Sequence, residues 1–182
     1  MRILRGKWRG RSIPFPKGAP TRPLTEKARE ALFNILSHRW VLEGCTVIDL
    51  FAGSGTVGLE FLSRGAQFAT FVEKDPLAAK QLRQLLQAWN APAVLYEMDV
   101  LKFLEKQPTP ALFIFAGPPF RFWQKRQLIE KILYGGWLLP GGCFILEHPL
   151  YETYTEYPEF WRCETYVSSG LSFFLAPAAG KQ

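Results

Sequence analysis

Three glycines in the run Asp49-Leu-Phe-Ala-Gly-Ser-Gly-Thr-Val-Gly58 fall in Gly-x-Gly-x-x-Gly spacing. Glycines at 53 and 55 let the backbone turn tightly and let a ligand approach the amides at a helix N-terminus. Glu73 stands twenty residues after Gly53 at the end of an apolar run, where a carboxylate can accept hydrogen bonds from two ribose hydroxyls. The pairing points to a nucleoside cofactor, and both a dinucleotide and S-adenosylmethionine present such a ribose. Asp49 separates the two. A carboxylate four residues before the first glycine repels a diphosphate and attracts the methionine ammonium of S-adenosylmethionine. The candidate cofactor contacts are therefore Asp49, Phe51, Ala52, Gly53, Ser54 and Gly55, then Glu73 and Lys74, then Asp99 and Val100. Asp99 is placed to meet an adenine amino group or, equally well, to cap a helix that begins at Val100.

A second candidate site is Phe115-Ala-Gly-Pro-Pro-Phe120. Pro118 and Pro119 fix the backbone so that carbonyls near Gly117 point in set directions, and Phe120 offers a flat face for a base. Such a loop can hold an exocyclic amino nitrogen on one side and a methyl sulfonium on the other. Read alone, the same residues make a rigid turn with a core phenylalanine.

Charge supplies a third signal. Residues 1–30 carry nine Lys and Arg against Glu26 and Glu30, whereas residues 31–182 carry 13 basic against 14 acidic side chains. A near-neutral body with a basic arm suits a nucleic-acid partner, a membrane surface or a simple solvated tail.

The elements that must position these groups follow from periodicity. Residues 2–14 put Arg5, Lys7, Arg9 and Arg11 on one parity, with Gly6 and Gly10 as turn points, which predicts a short hairpin with a basic face. Domain boundaries are expected as an arm over 1–24 and one domain over 25–182. Thr25 caps a predicted helix over Glu26 to Ser37. Short apolar runs then alternate with helical stretches. Strands are expected at 46–51, 68–73, 94–97, 112–116 and 143–147, and helices at 56–64, 76–89, 100–107 and 122–133. Runs near 161–167 and 171–177 read as a closing antiparallel pair. This is an α/β fold, a mainly parallel seven-stranded sheet with helices on both faces.

At 182 residues, 48% hydrophobic and 21% charged, the chain has the profile of one globular domain. Its three cysteines, Cys45, Cys143 and Cys163, show no metal-ligand spacing, so a reduced, cytoplasmic protein without metal is expected. No apolar run is long enough for a signal sequence or a membrane span, and no leftover apolar helix face argues against a monomer.

Several stretches together resemble the RsmD-type guanine-N2 methyltransferases that modify small-subunit ribosomal RNA. They are Gly6-Lys-Trp-Arg-Gly-Arg11, Arg22-Pro-Leu-Thr-Glu-Lys-Ala-Arg-Glu-Ala-Leu-Phe-Asn34, Asp49 to Glu60, Ser63-Arg-Gly-Ala66, Phe71-Val-Glu73 and Pro118-Pro-Phe120. The resemblance runs to about Phe174, and its first two stretches are its most specific. It implies a class I methyltransferase (Rossmann-like) fold, S-adenosylmethionine as donor, and a guanine of ribosomal RNA within the small subunit as acceptor. It also implies that Arg5, Lys7, Arg9, Arg11 and Arg22 grip phosphates, and that Gly117, Pro118, Pro119 and Phe120 form the catalytic loop. The chemistry is direct in-line transfer, which needs no nucleophilic serine or cysteine.

One departure stands out. The family carries Asp immediately before Pro-Pro, and related amino-methyltransferases carry Asn, where this chain has Gly117. That position would otherwise supply an acceptor for the amine protons, so a catalytically weak relative acting as an rRNA-binding assembly factor is the alternative reading. Glu147, on the next strand end, is a possible substitute acceptor or a structural carboxylate. A dinucleotide oxidoreductase would leave the basic arm and the Pro-Pro-Phe loop unexplained.

Overall fold

The structure, a computed structural model, describes residues 1–15 and 23–178. In chain order the elements are α1 (Glu26–Arg39), β1 (Thr46–Leu50), α2 (Thr56–Ser63), β2 (Phe68–Val72), α3 (Pro76–Ala88), β3 (Ala93–Tyr96), α4 (Val100–Phe103), β4 (Ala111–Ala116), α5 (Lys125–Tyr134), β5 (Leu138–His148), β6 (Phe160–Thr165) and β7 (Gly170–Leu175). The seven strands form one sheet in the order β3-β2-β1-β4-β5-β7-β6. β1 to β5 run parallel, while β7 lies antiparallel between β5 and β6. Strand order therefore reverses between β1 and β4, and ligands of open α/β sheets bind at the carboxyl ends of such a pair. Both candidate loops leave those two strand ends.

Each face of the sheet has its own core. On one face Leu32, Phe33 and Leu36 of α1, Phe61 of α2 and Leu82 of α3 cover Phe71, Phe113 and Ile145. On the other, Leu128, Ile129 and Ile132 of α5 cover Ile114, Phe144 and Leu146, joined by Tyr154 and Tyr157. Burial of each such large side chain contributes roughly 1.5–3 kcal/mol. Helix starts match their caps. Thr25 Oγ1 accepts from Ala28 N at 3.2 Å, and Asp75 Oδ2 accepts from Ala78 N at 2.8 Å ahead of Pro76.

Three expectations are corrected. The arm makes a single bridge, Arg2 to Ser12, not a two-stranded hairpin. Ile3 N, Gly10 N and Ile13 N donate across the arm to Arg11 O, Ile3 O and Met1 O, but between them Leu4 N and Arg5 N donate to Glu60, and Lys7 N and Trp8 N donate to Ser63. α4 is four residues long, because the amides of Glu105 and Lys106 turn back to carbonyls only three residues earlier ahead of Pro108. β5 begins five residues before Cys143, with a register irregularity opposite Ala111 and Phe113. Pro140, Gly141 and Gly142 make that irregularity, and such residues normally mark a strand's outside.

The arm is embedded in the body. Ile3, Trp8 and Ile13 are buried in the core beneath α1 and α2, and Trp8 packs on Trp89 with ring centroids 5.0 Å apart. Among the described residues no helix is long and apolar enough to cross a membrane.

Candidate active site

β1 ends at Leu50, and the chain turns sharply through Phe51 (φ +57°), Gly53 (φ +56°) and Gly55 (φ +78°) into α2. A bulky residue with a left-handed backbone is strained and is tolerated where the surroundings over-determine it. Phe51 is held by edge contact with Phe122 at 5.2 Å, and Ala52 N donates to Val72 O at 3.0 Å. Gly55 combines a left-handed backbone with a crowded side, since a Cβ there would lie 2.6 Å from Leu82 Cδ1 and 3.3 Å from the Phe71 ring, whereas a Cβ at Gly53 would meet nothing within 4 Å. The space over Gly53 is thus open to a ligand.

Two carboxylates flank this loop. Glu73 Oε2 accepts from Gly53 N at 2.7 Å and Oε1 from Asp75 N at 2.9 Å, so the carboxylate is locked at the end of β2 beside the turn. Asp49 is buried under the loop, with Oδ2 accepting from Gly58 N at 2.9 Å. Burial pushes the Asp49 carboxyl up to about 8, helped by the negative Glu73 and opposed by the Gly58 amide. A buried carboxylate without a cation is what an ammonium group of a ligand would relieve. Asp49, Phe51, Ala52, Gly53 and Ser54 line one narrow cavity of about 50 Å³ with Phe15, Pro23, Leu24, Phe115, Gly117 and Glu147. The glycine loop, open over Gly53 and flanked by Glu73 and Asp49, fits the ribose and ammonium of S-adenosylmethionine.

The remaining cofactor candidates sit differently. Lys74 is exposed just after β2. Val100 is buried in the core of the opposite face, so only its backbone is available to a ligand. Asp99 caps α4, its Oδ1 accepting from Leu101 N at 2.9 Å and Lys102 N at 3.2 Å; the capping alternative is the observed one, and Oδ2 is not used in it.

The second loop leaves β4 beside the first. Gly117, Pro118, Pro119, Phe120 and Arg121 line a cavity of about 1020 Å³. Its other walls are Pro23 to Thr25, Lys27 and Ala28 at the start of α1, Glu147 at the end of β5, and the β6–β7 turn from Thr165 to Ser169. Phe120 is 45% exposed at this cavity, so it is not a core residue. Gly117 and Glu147 belong to both cavities, which therefore adjoin at the ends of β4 and β5.

Lys125, which carried no signal in the sequence, fastens the loop. Its Nζ donates to Phe120 O at 3.2 Å and Phe122 O at 2.8 Å and pairs with Glu152 at 3.1 Å, almost wholly buried. Glu152 accepts in turn from the Tyr154 hydroxyl at 2.6 Å. Glu60 was missed too. It lies fully buried on α2, pairing with Arg64 at 3.0 Å and Arg29 at 3.6 Å while accepting the two arm amides. Arg29 is itself buried, its guanidinium donating to Arg2 O at 2.6 Å. Both are long-range pairings of polar residues, which local pattern does not encode.

Arg5, Lys7, Arg9 and Arg11 project from the arm into solvent. Lys7 lies over the Trp8 ring and Arg11 over Trp89, at 4.5 and 5.3 Å. Arg22 lies outside the described residues.

A glycine turn flanked by two carboxylates at a topological switch point, opening beside a proline-fixed loop on the neighbouring strand, defines a class I methyltransferase, the Rossmann-like class that takes its methyl group from S-adenosylmethionine. A family model described as Conserved hypothetical protein 95, the RsmD family, matches residues 1–175, and the chain belongs to that family. It is 36% identical over 164 residues to the Ribosomal RNA small subunit methyltransferase D of Escherichia coli strain K12, covering 88% of this chain and 81% of the relative. The Haemophilus influenzae protein of the same name is 35% identical over 153 residues, covering 81% and 78%. Among solved structures, one from Escherichia coli superposes with a TM-score of 0.87 at 32% identity, covering 97% of each chain. The Thermus thermophilus 16S rRNA N2 G1207 methyltransferase, solved with AdoMet and guanosine, shares the fold with a TM-score of 0.71 at 23% identity, covering 88% of this chain and 45% of that one.

Proposed function

We propose that this chain methylates N2 of a guanine in small-subunit ribosomal RNA. The observation that carries the reading is the shared wall of the two cavities, where Gly117 and Glu147 separate the glycine loop from the larger pocket. The family relatives, named as small-subunit rRNA methyltransferases, and the fold neighbour crystallised with AdoMet and guanosine support the choice of acceptor.

S-adenosylmethionine supplies an electrophilic methyl group on a positively charged sulfur. Glu73 holds the ribose hydroxyls, Asp49 faces the methionine ammonium, and the turn from Ala52 to Gly55 lines its path. Asp99 presents Oδ2 to the adenine amino group, with Lys74 and the Val100 backbone beside it. On the other side, Phe120 stacks on the acceptor base while carbonyls of the Gly117-Pro118-Pro119 turn orient its amine, so that positioning supplies most of the rate. Arg5, Lys7, Arg9, Arg11 and Arg22 grip phosphates of the RNA without reading its sequence. The protein acts as a monomer on the small subunit.

The test is transfer of labelled methyl groups from S-adenosylmethionine to small subunits lacking this modification, with mass mapping of the product nucleoside. N2-methylguanine supports the reading. RNA and cofactor binding without transfer would instead favour an rRNA-binding assembly factor, the reading that the missing side chain at Gly117 keeps open.

A further inference from the structure

β4 and β5 are parallel neighbours, with Ala116 in register with Leu146. Gly117 and Glu147 are the next pair along. Neighbouring strands lie roughly 4.8 Å apart and residues in register project to the same face, so the Glu147 side chain rises beside the place a side chain at 117 would occupy. Gly117 is free of left-handed backbone, and a Cβ added there would meet only the Phe115 ring, at 3.2 Å and 3.6 Å. Glu147 lines both cavities. Among the described residues its carboxyl has no hydrogen-bond partner, and burial alone pushes it up to about 7. The ionisable groups lining those cavities with it are Lys27 from α1, Asp49 from β1, Arg121 from the loop after β4 and Tyr166 from the β6–β7 turn. None of them accounts for its position, which follows from desolvation.

We propose that Glu147 is a catalytic residue, its carboxylate accepting a hydrogen bond from the exocyclic amine of the acceptor base and then taking the proton that amine releases. The assignment rests on the guanine reading above. The amine lone pair forms the new nitrogen–carbon bond as the carbon–sulfur bond breaks and its electron pair passes to sulfur. The nitrogen, now carrying the methyl, two hydrogens and a positive charge, gives one proton to the Glu147 carboxylate, which returns it to solvent. A side chain on β5 thus takes over from the position left bare on β4.

The experiment compares wild type, Glu147→Gln and the Glu147→Gln/Gly117→Asp double variant of the full chain on small subunits lacking the modification. Cofactor affinity and thermal unfolding are measured alongside, and the Glu147 carboxyl is titrated by ¹³C NMR in the free protein. Glu147→Gln is expected to lower kcat about 100-fold or more with cofactor Kd within about twofold. It should also abolish a rise in wild-type kcat centred near pH 7, where the NMR titration falls. Gly117→Asp should restore at least about tenfold of the loss, since a carboxylate returns to the same site. Wild-type kcat and an unchanged pH profile in Glu147→Gln would overturn the proposal, as would a carboxyl that titrates near pH 4. A wild-type product methylated elsewhere than guanine N2 would sink the acceptor reading while leaving the Glu147 comparison legible on the amine actually used; no transfer by wild type would sink both.

Discussion

The carboxylate of Glu60 and the guanidinium of Arg29 lie 3.6 Å apart with neither side chain exposed to solvent. Burial pulls the Arg29 guanidinium below its ordinary value, and Glu60 opposes that shift. Glu60 also accepts the amides of Leu4 and Arg5 and pairs with Arg64. Removing one partner of such a pair leaves an uncompensated buried charge, which costs about 3–5 kcal/mol. Glu60→Ala is therefore expected to shift urea unfolding by that amount and to weaken RNA binding, because the arm loses its anchor. Unfolding at the wild-type urea concentration would contradict this.

The proposed contact between Asp49 and the methionine ammonium would link cofactor binding to protons. Burial pushes the Asp49 carboxyl up to about 8 in the free protein, against about 3.9 in an unfolded chain. Between those values the folded form binds more protons than the unfolded one, so stability of the cofactor-free protein falls as pH rises through that window. Binding an ammonium requires the ionised form. Cofactor affinity should rise about tenfold per pH unit from 6 towards 8 and then level off, with proton release visible by calorimetry in two buffers. Asp49→Asn should raise the melting temperature of the free protein at pH 8 while weakening cofactor binding and flattening its pH dependence.

The glycine pair separates fold from ligand. Gly55→Ala drives a Cβ to within 2.6 Å of Leu82 and should unfold at clearly lower urea. Gly53→Ala meets no atom within 4 Å and carries only the left-handed backbone cost, about 1–2 kcal/mol. Its methyl projects into the ligand space, so Gly53→Ala should lose most cofactor affinity while remaining folded, as circular dichroism and calorimetry will report.

Lys125→Met leaves the carbonyls of Phe120 and Phe122 and the Glu152 carboxylate without their cation. The Pro-Pro-Phe loop then loses its tether, whereas the glycine loop, on another strand, keeps its own hydrogen bonds and meets that loop through the Phe51–Phe122 edge contact. Methyl transfer should fall about 100-fold for a misplacement near 1 Å, with cofactor Kd within about twofold. A parallel fall in both quantities would show that the two loops are not independent.

Replacing Arg5, Lys7, Arg9 and Arg11 by Gln should leave unfolding nearly unchanged, since all four are exposed. The salt dependence of RNA binding should flatten by roughly 0.7–0.9 in log–log slope for each phosphate that the arm no longer neutralises. An unchanged slope would remove the arm from the RNA interface.

The glycine loop, the apolar strands and the cap at Thr25 were legible because each is written within a few consecutive residues. The arm was legible as basic but not as embedded. Its alternating charges resemble a hairpin, and only the distant Glu60 and Ser63 show why the amides of Leu4, Arg5, Lys7 and Trp8 pair with α2. Lys125 and Glu60 look like ordinary helix-surface charges until the fold buries them. Glu147 could be seen as a strand end, yet its meaning depends on register with Gly117 across thirty residues of chain.

α2 carries the glycine turn at its N-terminus, while Glu60 and Ser63 near its other end grip the basic arm. A rigid eight-residue helix is about 12 Å long. On the proposed reading it would work as a caliper: with the arm on a stretch of phosphate backbone, the methyl donor would stand at a set span from it. Which nucleotide is reached would then depend on how the RNA is folded around that span rather than on its letters.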